Sequence, residues 1–353
     1  MKTNLFIFGF TSLLLASCSN NDSETANPDS ALNKEILTNT SVNVITATYS
    51  ELYNNSVALT TACQNLSIGD EAELTAVKNA WVATRAPWEK SEGFLYGPVD
   101  TEGIDPAIDS WPVDVNAINN ILNSSQAITS TLLENDDARG FHTIEYFIWG
   151  LSGNKTASEL TTRELEYLVA AAQNLQSKTQ QLYYGWLQSQ GNFANNFVNA
   201  GQSGSIYTSQ KDALLELVEG IIIISDEVAT GKIETPLNGN NGAASPQDEE
   251  SRFSNNSKLD FANNIRSIQN IYLGDFASIE GKGLTDLVAS KNATTDANIK
   301  AKITEAISAI EAIPGTFTDA IFNHRSAVQN AQQKVAELKV VLESQLQPLI
   351  SNL

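Results

Sequence analysis

The chain has 353 residues, and its 41 aspartates and glutamates outnumber its 21 lysines and arginines, so its formal net charge is −20 at pH 7. A field of this sign repels nucleic acids and anionic lipid surfaces, which argues against nucleic acid as a partner, and it attracts cations without selecting among them. The length allows one large domain or two domains of moderate size.

The first 17 residues have the pattern of a secretory signal peptide. Lys2 precedes a mostly apolar run, residues 5–16, which is too short to span a bilayer as a mature helix. The run leads into Leu15-Ala16-Ser17-Cys18, which resembles a bacterial lipobox. An ordinary signal peptide that contains a chance cysteine is the alternative interpretation.

The lipobox resemblance implies cleavage before Cys18 and lipid on its thiol and new amino group. Several acyl chains hold a protein to a membrane far more firmly than one chain does. We therefore expect a lipid-anchored protein of the bacterial cell envelope, at the outer membrane or on its periplasmic or surface face, whose contact with the membrane is the lipidated Cys18.

The segment that follows the cysteine is polar and has no periodicity, so residues 18–34 are predicted to form a flexible tether. With Cys18 acylated, only Cys63 remains, and a single thiol forms no internal disulfide. Cys63 follows an apolar-periodic segment and is predicted to be a small buried hydrophobe rather than a nucleophile.

Apolar residues recur at intervals of three and four along most of the remaining chain, which predicts amphipathic helices. Capping pairs mark two helix starts, Asp70 with Glu73 and Thr161 with Glu164. Convincing two-residue alternation of the kind that indicates a strand is missing, so the sequence predicts an all-α protein. The periodic segments are 44–57, 70–88, 165–186, 214–228, 299–313 and 335–349.

Three stretches rich in Gly, Pro, Asn or Ser interrupt this pattern, at residues 93–112, 191–205 and 231–257. Loops of such length inside compact domains are uncommon and are often functional or disordered. We predict two helical bundles of similar size that divide near residue 205, the first over 35–205 and the second over 206–353.

The most informative motif is Gly140-Phe141-His142-Thr143-Ile144-Glu145, because the chain has only two histidines. On a helix, residues three apart share a face, so His142 and Glu145 point into the same space. Apolar residues follow at once, which places the pair at the edge of a core. A metal site, an acid–base pair and a buried hydrogen bond are all compatible with this spacing.

A second group of polar residues precedes that motif. Glu89 and Glu92 are also three apart, Asp105 and Asp109 are four apart, and Arg85 lies nearby. Tryptophans and prolines are mixed with these carboxylates, which a solvated helix face does not need. A capped helix end followed by a packed loop is the alternative, since charge runs are usually solvated faces.

A third group of polar residues interrupts a later helix, and its asparagines and serines are mediocre helix formers. These residues are predicted to form hydrogen bonds between helices that close one bundle against the other. They are Asp260, Asn263, Asn264, Ser267 and Asn270.

In this order, the segments resemble the imelysin family, also described as insulin-cleaving membrane protease-like proteins. The family motif Gly-x-His-x-x-Glu is present as Gly140, His142 and Glu145, and the resemblance covers about residues 36–350. The other matching segments are Trp88-Glu89, Ile104-Asp105-Pro106, Ser110-Trp111-Pro112, Glu227-Val228 with Gly231-Lys232, and Glu250-Ser251 to Tyr272-Leu273-Gly274.

The resemblance implies an all-α fold of two related four-helix bundles, with the His-x-x-Glu region near their junction. Its relatives include periplasmic and outer-membrane lipoproteins linked to iron uptake, which implies other envelope iron-uptake components as partners. The family name also implies a peptidase, and that activity has to be weighed against the residues.

The residues give little support to a peptidase. A zinc protease of the His-Glu-x-x-His type needs two histidines on one helix, and this motif is absent from the sequence. The other histidine, His324, lies between Asn323 and Arg325 in a neighbourhood typical of solvated surface. A Ser-His-Asp arrangement with a recognisable nucleophile turn is also missing, so enzymatic activity stays open and is not favoured.

One histidine with several carboxylates suits a cation better. Imidazole with oxygen ligands favours iron, manganese or zinc over calcium or magnesium. We therefore predict an iron or zinc site, with a binding protein for another small ligand as a further alternative. Arg85 is expected to neutralise an unused carboxylate or to hold an anion. The predicted ligands are His142, Glu145, Glu89 and Asp105, and Glu92 and Asp109 are alternates or supporting partners.

Overall fold

The computed structural model of the protein describes residues 29–135 and 138–353. It is 72% helical, and the described residues contain no strand, which confirms the predicted all-α class. The signal peptide, the lipobox and Cys18 lie outside the described residues. Within the described ranges, no helix combines the length and the apolar character that crossing a membrane requires.

The first half of the chain contains long helices linked by short ones. A π-helical turn, Thr40–Ile45, joins the first two helices, and a 3-10 turn, Glu92–Phe94, follows the third. The α-helices are α1 (Ser30–Asn39), α2 (Thr46–Asn65), α3 (Glu71–Glu89), α4 (Pro98–Thr101), α5 (Ile104–Ile108), α6 (Val115–Asn123), α7 (Gly140–Trp149), α8 (Thr162–Trp186) and α9 (Ala194–Val198).

The second half has the same character. A π-helical turn, Val228–Ile233, extends its first helix, and another, Leu342–Leu346, precedes its last. The α-helices are α10 (Gln210–Glu227), α11 (Glu234–Asn238), α12 (Ser257–Leu273), α13 (Leu284–Lys291), α14 (Ala293–Glu311), α15 (Phe317–Asn323), α16 (Arg325–Val341) and α17 (Gln347–Ser351).

The capping pairs start their helices as predicted. Asp70 accepts hydrogen bonds from the backbone N–H groups of Ala72 and Glu73, both at 3.0 Å. Thr161 and Glu164 form a complete capping box at the start of α8. Each cap satisfies N–H groups that have no partner inside the helix, which fixes where the helix begins.

Two four-helix groups make up the protein. Helices α2, α3, α7 and α8 pack together in the first half, and α10, α12, α14 and α16 pack together in the second. The groups meet where α3 lies against α12 and the 92–94 turn lies against α10. Trp81 and Trp88 of α3 are fully buried, and both rings pack against Phe141 of α7 within the first group. The end of α3 therefore lies at the junction of the two groups.

The structure differs from the predicted tether at one end. The tether was expected to reach residue 34, whereas α1 begins at Ser30. The reason is burial, because Asn33, Ile36 and Leu37 are covered by the rest of the protein. Tertiary packing thus orders a segment whose polar composition alone does not indicate a helix. The division near residue 205 into two domains stays a prediction.

Two smaller predictions are confirmed. Cys63 is 1% exposed, and burial raises the pKa of its thiol to about 12, so it is a buried thiol of low reactivity. His324 has a side chain that is 44% exposed and lies 3.7 Å from the carboxylate of Asp319. It is the surface residue that its neighbourhood indicated.

Candidate functional site

Gly140 brings the start of α7 against the end of α5. Its φ is +80°, a conformation that favours glycine, and a Cβ there would lie 2.3 Å from the carbonyl oxygen of Ile108. The indole N–H of Trp81 donates to the carbonyl oxygen of Phe141 at 2.9 Å and holds the same turn from α3. This close approach places His142 beside Asp109, the residue that follows α5.

Glu145 orients the imidazole of His142. Nδ1 of His142 lies 2.9 Å from Oε2 of Glu145, and both side chains are buried. The other oxygen, Oε1, accepts hydrogen bonds from the backbone N–H and the hydroxyl of Ser254, at 2.8 and 2.7 Å. In this pair Nδ1 donates and the carboxylate accepts, so the ring is held with Nε2 directed away from Glu145.

Nε2 of His142 faces two carboxylates. It lies 3.1 Å from Oδ1 of Asp109 and 3.4 Å from Oε1 of Glu250. Both distances are those of ion pairs, although neither approach has the angle of a good hydrogen bond. Burial acts to lower the pKa of His142, but the three carboxylates around it outweigh burial and raise that pKa well above its ordinary value.

Arg85 lies at the centre of the carboxylates and is fully buried. Its Nη2 lies 2.5 Å from Glu89, and its Nε lies 3.5 Å from Asp260. It also pairs with Asp109 and Glu250, the same two residues that face His142. Burial acts to lower the pKa of Arg85, and these four carboxylates more than reverse that effect.

Lys232 is the second buried cation. Its Nζ lies 2.8 Å from Glu250 and 3.1 Å from Glu92. The amide of Asn264, on α12, donates to Glu89 at 2.7 Å and to Glu92 at 3.0 Å. The second half of the chain therefore supplies partners for both glutamates of the first half, and Asn264 makes the interhelical hydrogen bonds predicted for its group.

The cluster contains more carboxylates than permanent cations. Six carboxylate side chains, none more than 12% exposed, surround Arg85, Lys232 and His142. If all were ionised, six negative charges would face two positive ones, or three when the imidazole is protonated. The six are Glu89, Glu92, Asp109, Glu145, Glu250 and Asp260.

Burial decides which of these carboxylates keep a proton. It raises the pKa of Glu89 to about 8, that of Asp260 to about 6 and that of Glu92 well above its ordinary value. For Asp109 and Glu250 burial acts in the same direction, but Arg85 for Asp109, and Lys232 with Arg85 for Glu250, reverse it and lower both pKa values. The two carboxylates nearest to Nε2 are therefore ionised at neutral pH.

Comparison with known proteins identifies the family to which this architecture belongs. The family model described as Imelysin matches residues 45–342, which is most of the chain. The chain belongs to the imelysin family. This confirms the resemblance that its motifs indicated.

Similar proteins of the family carry names that refer to iron. Iron-regulated protein A of Synechococcus elongatus is 29% identical over 284 residues, which are 79% of this chain and 76% of that protein. A crystal structure of a Parabacteroides distasonis protein, assigned as an iron-regulated protein A precursor, superposes with a TM-score of 0.79 at 28% identity and covers 93% of this chain and 96% of that one.

An imelysin-like protein from Psychrobacter arcticum shows the same fold. Its structure superposes with a TM-score of 0.73 at 15% identity, over 91% of this chain and 96% of that one. At that identity the likeness concerns the fold alone.

Within this imelysin fold, the residues predicted as ligands separate into two sets. The structure brings His142 together with Asp109 and Glu250, whose candidate ligand atoms all lie within 4.8 Å of one another. Glu89, Glu92 and Asp109 form a second group by the same measure. Asp109, predicted as an alternate, is thus the carboxylate that both groups share.

Two of the predicted ligands lie outside these groups. Glu145 uses its oxygens on His142 and Ser254. Asp105 is partly buried, and burial raises its pKa to about 6, but it does not approach the imidazole within ion-pair distance. The assignment of ligands stays a prediction.

Sequence reasoning missed Glu250, Lys232 and Ser254. All three lie within residues 231–257, between α10 and α12, a stretch that was predicted mainly as a loop. The acidic pair Glu249-Glu250 directly before polar residues was a usable signal, but nothing in the sequence ties it to a histidine 108 positions earlier. Only the packing of the two halves brings them together.

Proposed function

We propose that this imelysin-family protein binds a metal ion, iron in the first place, through His142, Asp109 and Glu250, and that it serves iron acquisition at the bacterial cell envelope. The observation that carries the proposal is the convergence of three buried or nearly buried ligand groups: Glu145 directs Nε2 of His142 at the carboxylates of Asp109 and Glu250, and the candidate ligand atoms of the three lie within 4.8 Å of one another. Imidazole with carboxylate oxygens suits iron, manganese and zinc.

The hydrogen bond from Nδ1 to Glu145 supports this role for His142. Histidines that bind metals nearly always donate their other ring N–H to a carboxylate or carbonyl group, which fixes the ring and raises its basicity. Glu145 is in turn held by two donors from Ser254. In this proposal Glu145 positions the ligand and does not itself touch the ion.

Arg85 occupies the oxygens that a metal ion would need, because it contacts the same oxygens of Asp109 and Glu250 that face Nε2. A cation has to compete with the guanidinium for these oxygens. Arg85 keeps Glu89 and Asp260 as partners when the other two carboxylates turn to an ion, so it does not become an unpaired buried charge. Exchange of partners of this kind suits reversible loading.

An acidic cavity offers cations a route towards the cluster. It has a volume of about 280 Å³ and lies between α10 and the turn after α3. Glu92 belongs both to its wall and to the cluster, through Lys232. Carboxylates along a cleft raise the local concentration of cations. The acidic residues of its wall are Glu92, Glu216, Glu219 and Glu227.

Iron is favoured over zinc by the names of the relatives, two of which are called iron-regulated protein A.

The lipobox at Cys18 supports the envelope location and attachment to a membrane, where uptake components would be the partners. We expect Cys18→Ser to move the protein from the membrane fraction to the soluble fraction of the native bacterium. Retention of the variant in the membrane fraction would contradict the anchor.

The test of metal binding compares the two histidines. We expect the wild-type protein to bind one equivalent of Fe²⁺ or Zn²⁺ in anaerobic titration calorimetry, and His142→Gln to bind at least about tenfold more weakly. Glu145→Gln should weaken binding by about 10- to 100-fold, because the ring loses its orienting carboxylate. His324→Gln removes the exposed histidine and is the matched control, with unchanged affinity.

A purely structural ion network is the alternative that Arg85 and Lys232 favour, since they already pair with most of the carboxylates. In that case His142→Gln lowers the melting temperature and leaves metal affinity where it was. That result, or equal loss of affinity in the His142 and His324 variants, would overturn the proposed metal site.

A further inference from the structure

A second cleft, which Arg252 and Asn255 on either side of Ser254 help to line, has no part in the cation cluster. Its walls come from the loop after α7, from the connection before α12 and from α15, so both halves of the chain contribute. Its volume is about 460 Å³, which falls in the range of small-molecule sites. The lining residues that matter below are Leu151, Arg252, Asp319, Phe322 and Asn323.

Arg252 lines this cleft without an ion-pair partner among the described residues, although burial raises the pKa of the nearby Glu249 carboxyl and Arg252 is close enough to act against that rise. Its guanidinium lies over the ring of Phe253, 4.9 Å from the centroid, and its Nε is buried without a hydrogen-bond partner. Its side chain forms no ion pair or hydrogen bond with any described residue. The other described arginines all have such contacts, at positions 85, 139, 163, 266 and 325.

The unpaired state of Arg252 stands out because acids outnumber bases 41 to 21 in this chain. A buried N–H without an acceptor has lost its water and gained nothing in return, which costs free energy. A carboxylate that enters the cleft would pair with the guanidinium group, whose planar N–H fork matches the two oxygens of a carboxylate.

The rims of the cleft are apolar. Leu151, from the loop after α7, is 54% exposed, and Phe322, on α15, is 55% exposed. Large apolar side chains that line a cleft and remain in water favour a ligand with an apolar part. The two residues come from different halves of the chain, so a ligand in contact with both would bridge the halves.

Asp319 limits the charge of the ligand. It lines the same cleft from α15, and its Oδ1 accepts a hydrogen bond from Asn323 at 2.7 Å. A carboxylate on the wall, in a chain of net charge −20, opposes ligands that carry several negative charges, such as phosphates or polycarboxylates. One negative charge, paired with Arg252, remains acceptable.

We propose that this cleft binds a monocarboxylate carried on an apolar group, with Arg252 as the partner of the carboxylate and Leu151 and Phe322 as the partners of the apolar group. A free organic acid and the carboxyl terminus of a peptide share this chemistry. The site is independent of the proposed metal site, because none of these residues belongs to the cluster around His142.

The experiment uses two pairs of probes that differ only in charge. Hexanoate is compared with hexanamide, and N-acetylleucine with N-acetylleucinamide, by calorimetry and ligand-observed NMR on the full mature protein. We expect at least one acid to bind at least about tenfold more tightly than its amide. Tighter binding of hexanoate would identify a free acid as the source, and tighter binding of N-acetylleucine would identify a peptide terminus.

Arg252→Gln should remove this preference, with at least about a tenfold loss for the acid and little change for the amide. Phe322→Ser should weaken acid and amide alike. Arg266→Gln, which removes an arginine paired with Glu311 outside the cleft, is the control and should bind as the wild type does. Thermal melting of each variant shows that the fold is retained.

Three outcomes would overturn the proposal. The first is equal affinity of acid and amide for both pairs. The second is full affinity for the acid in a folded Arg252→Gln variant. The third is the absence of binding by either acid up to about 10 mM, since a carboxylate–arginine pair with apolar contacts should reach millimolar affinity.

Discussion

At the scale of single residues, the hydrogen bonds of Glu145 settle the direction in which the His142 ring points. The spacing of three positions put the two side chains on one face, which is a statement about the helix. The structure adds which ring atom faces which residue: Nδ1 faces Glu145, and Nε2 faces Asp109 and Glu250. One ring nitrogen is thus committed to Glu145, and the other faces two carboxylates, where the proposed metal ion would have to displace its proton.

Asp296 shows how a single buried carboxylate stabilises the second half. It is 8% exposed, lies in the first turn of α14, and accepts hydrogen bonds from Tyr272 at 2.9 Å, Thr285 at 2.6 Å and Lys300 at 2.9 Å. Burial alone would raise the pKa of Asp296, but these donors outweigh burial and lower that pKa below its ordinary value. A negative charge at this end of a helix is also favourable.

Because its folded-state pKa is lowered, Asp296 contributes stability above its unfolded pKa of about 4, and loses this contribution as pH falls through the folded value. We expect Asp296→Asn to lower the free energy of unfolding by about 1–3 kcal/mol at pH 7. The difference from wild type should shrink below about pH 4, as measured by urea unfolding at several pH values.

The control is Asp226→Asn, at a carboxylate that is 44% exposed and paired with Lys339. Its effect should stay within about 1 kcal/mol at any pH. If Asp296→Asn lowers the free energy of unfolding by the same amount at pH 3 and pH 7, the shape of the side chain and not its charge accounts for the contribution of Asp296 to stability.

At the scale of elements, the contact between α5 and α7 depends on Gly140. Its φ is +80°, and a Cβ would lie 2.3 Å from a backbone oxygen that has no freedom to move aside. Glycine is therefore required at this position of the motif for a structural reason: it lets the ends of α5 and α7 meet, so that Asp109 reaches His142.

We expect Gly140→Ala to lower the free energy of unfolding by about 3 kcal/mol or more, from both the strained backbone and the forced separation of the helices. Gly69→Ala is the matched control, because Gly69 has a similar φ of +87° and open space around its Cβ position. That substitution should cost only about 1–2 kcal/mol. Equal costs in chemical denaturation would show that the close approach to Ile108 does not matter.

The elements also show how far the sequence predicts this fold and site. Capping pairs and apolar periodicity predicted the starts of α3 and α8, because local chemistry decides both. The sequence alone could not decide between Asp105 and Asp109, since a carboxylate on a short helix and one directly after it have equal claims until the partner helix is placed. Glu250 and Lys232 were missed because tertiary packing alone brings Glu250 to His142 and Lys232 to Glu250 and Glu92.

At the scale of the whole molecule, Arg85 ties the two halves together. Its partners are Glu89 and Asp109 from the first half and Glu250 and Asp260 from the second. The junction is therefore an ion network inside the protein, and whatever alters that network alters the contact between the halves.

We expect Arg85→Met to lower the free energy of unfolding by about 3–5 kcal/mol in the presence of a chelator, because four carboxylates lose their shared cation. Added Fe²⁺ or Zn²⁺ should restore part of this loss, since the ion would replace the missing charge. Arg266→Met, at an exposed pair, should cost less than about 1 kcal/mol and should not respond to metal. Failure of metal to stabilise the Arg85 variant would count against an ion at this junction.

The central claim is that a metal ion is bound by Nε2 of His142. The most direct measurement is an anomalous difference map, collected at the absorption edge of the metal, from crystals of the mature protein grown with Fe²⁺ or Zn²⁺. We predict a single strong peak about 2.0–2.2 Å from Nε2, within reach of Asp109 and Glu250. A map whose only peaks lie elsewhere, with Arg85 still paired to both carboxylates, would contradict the claim.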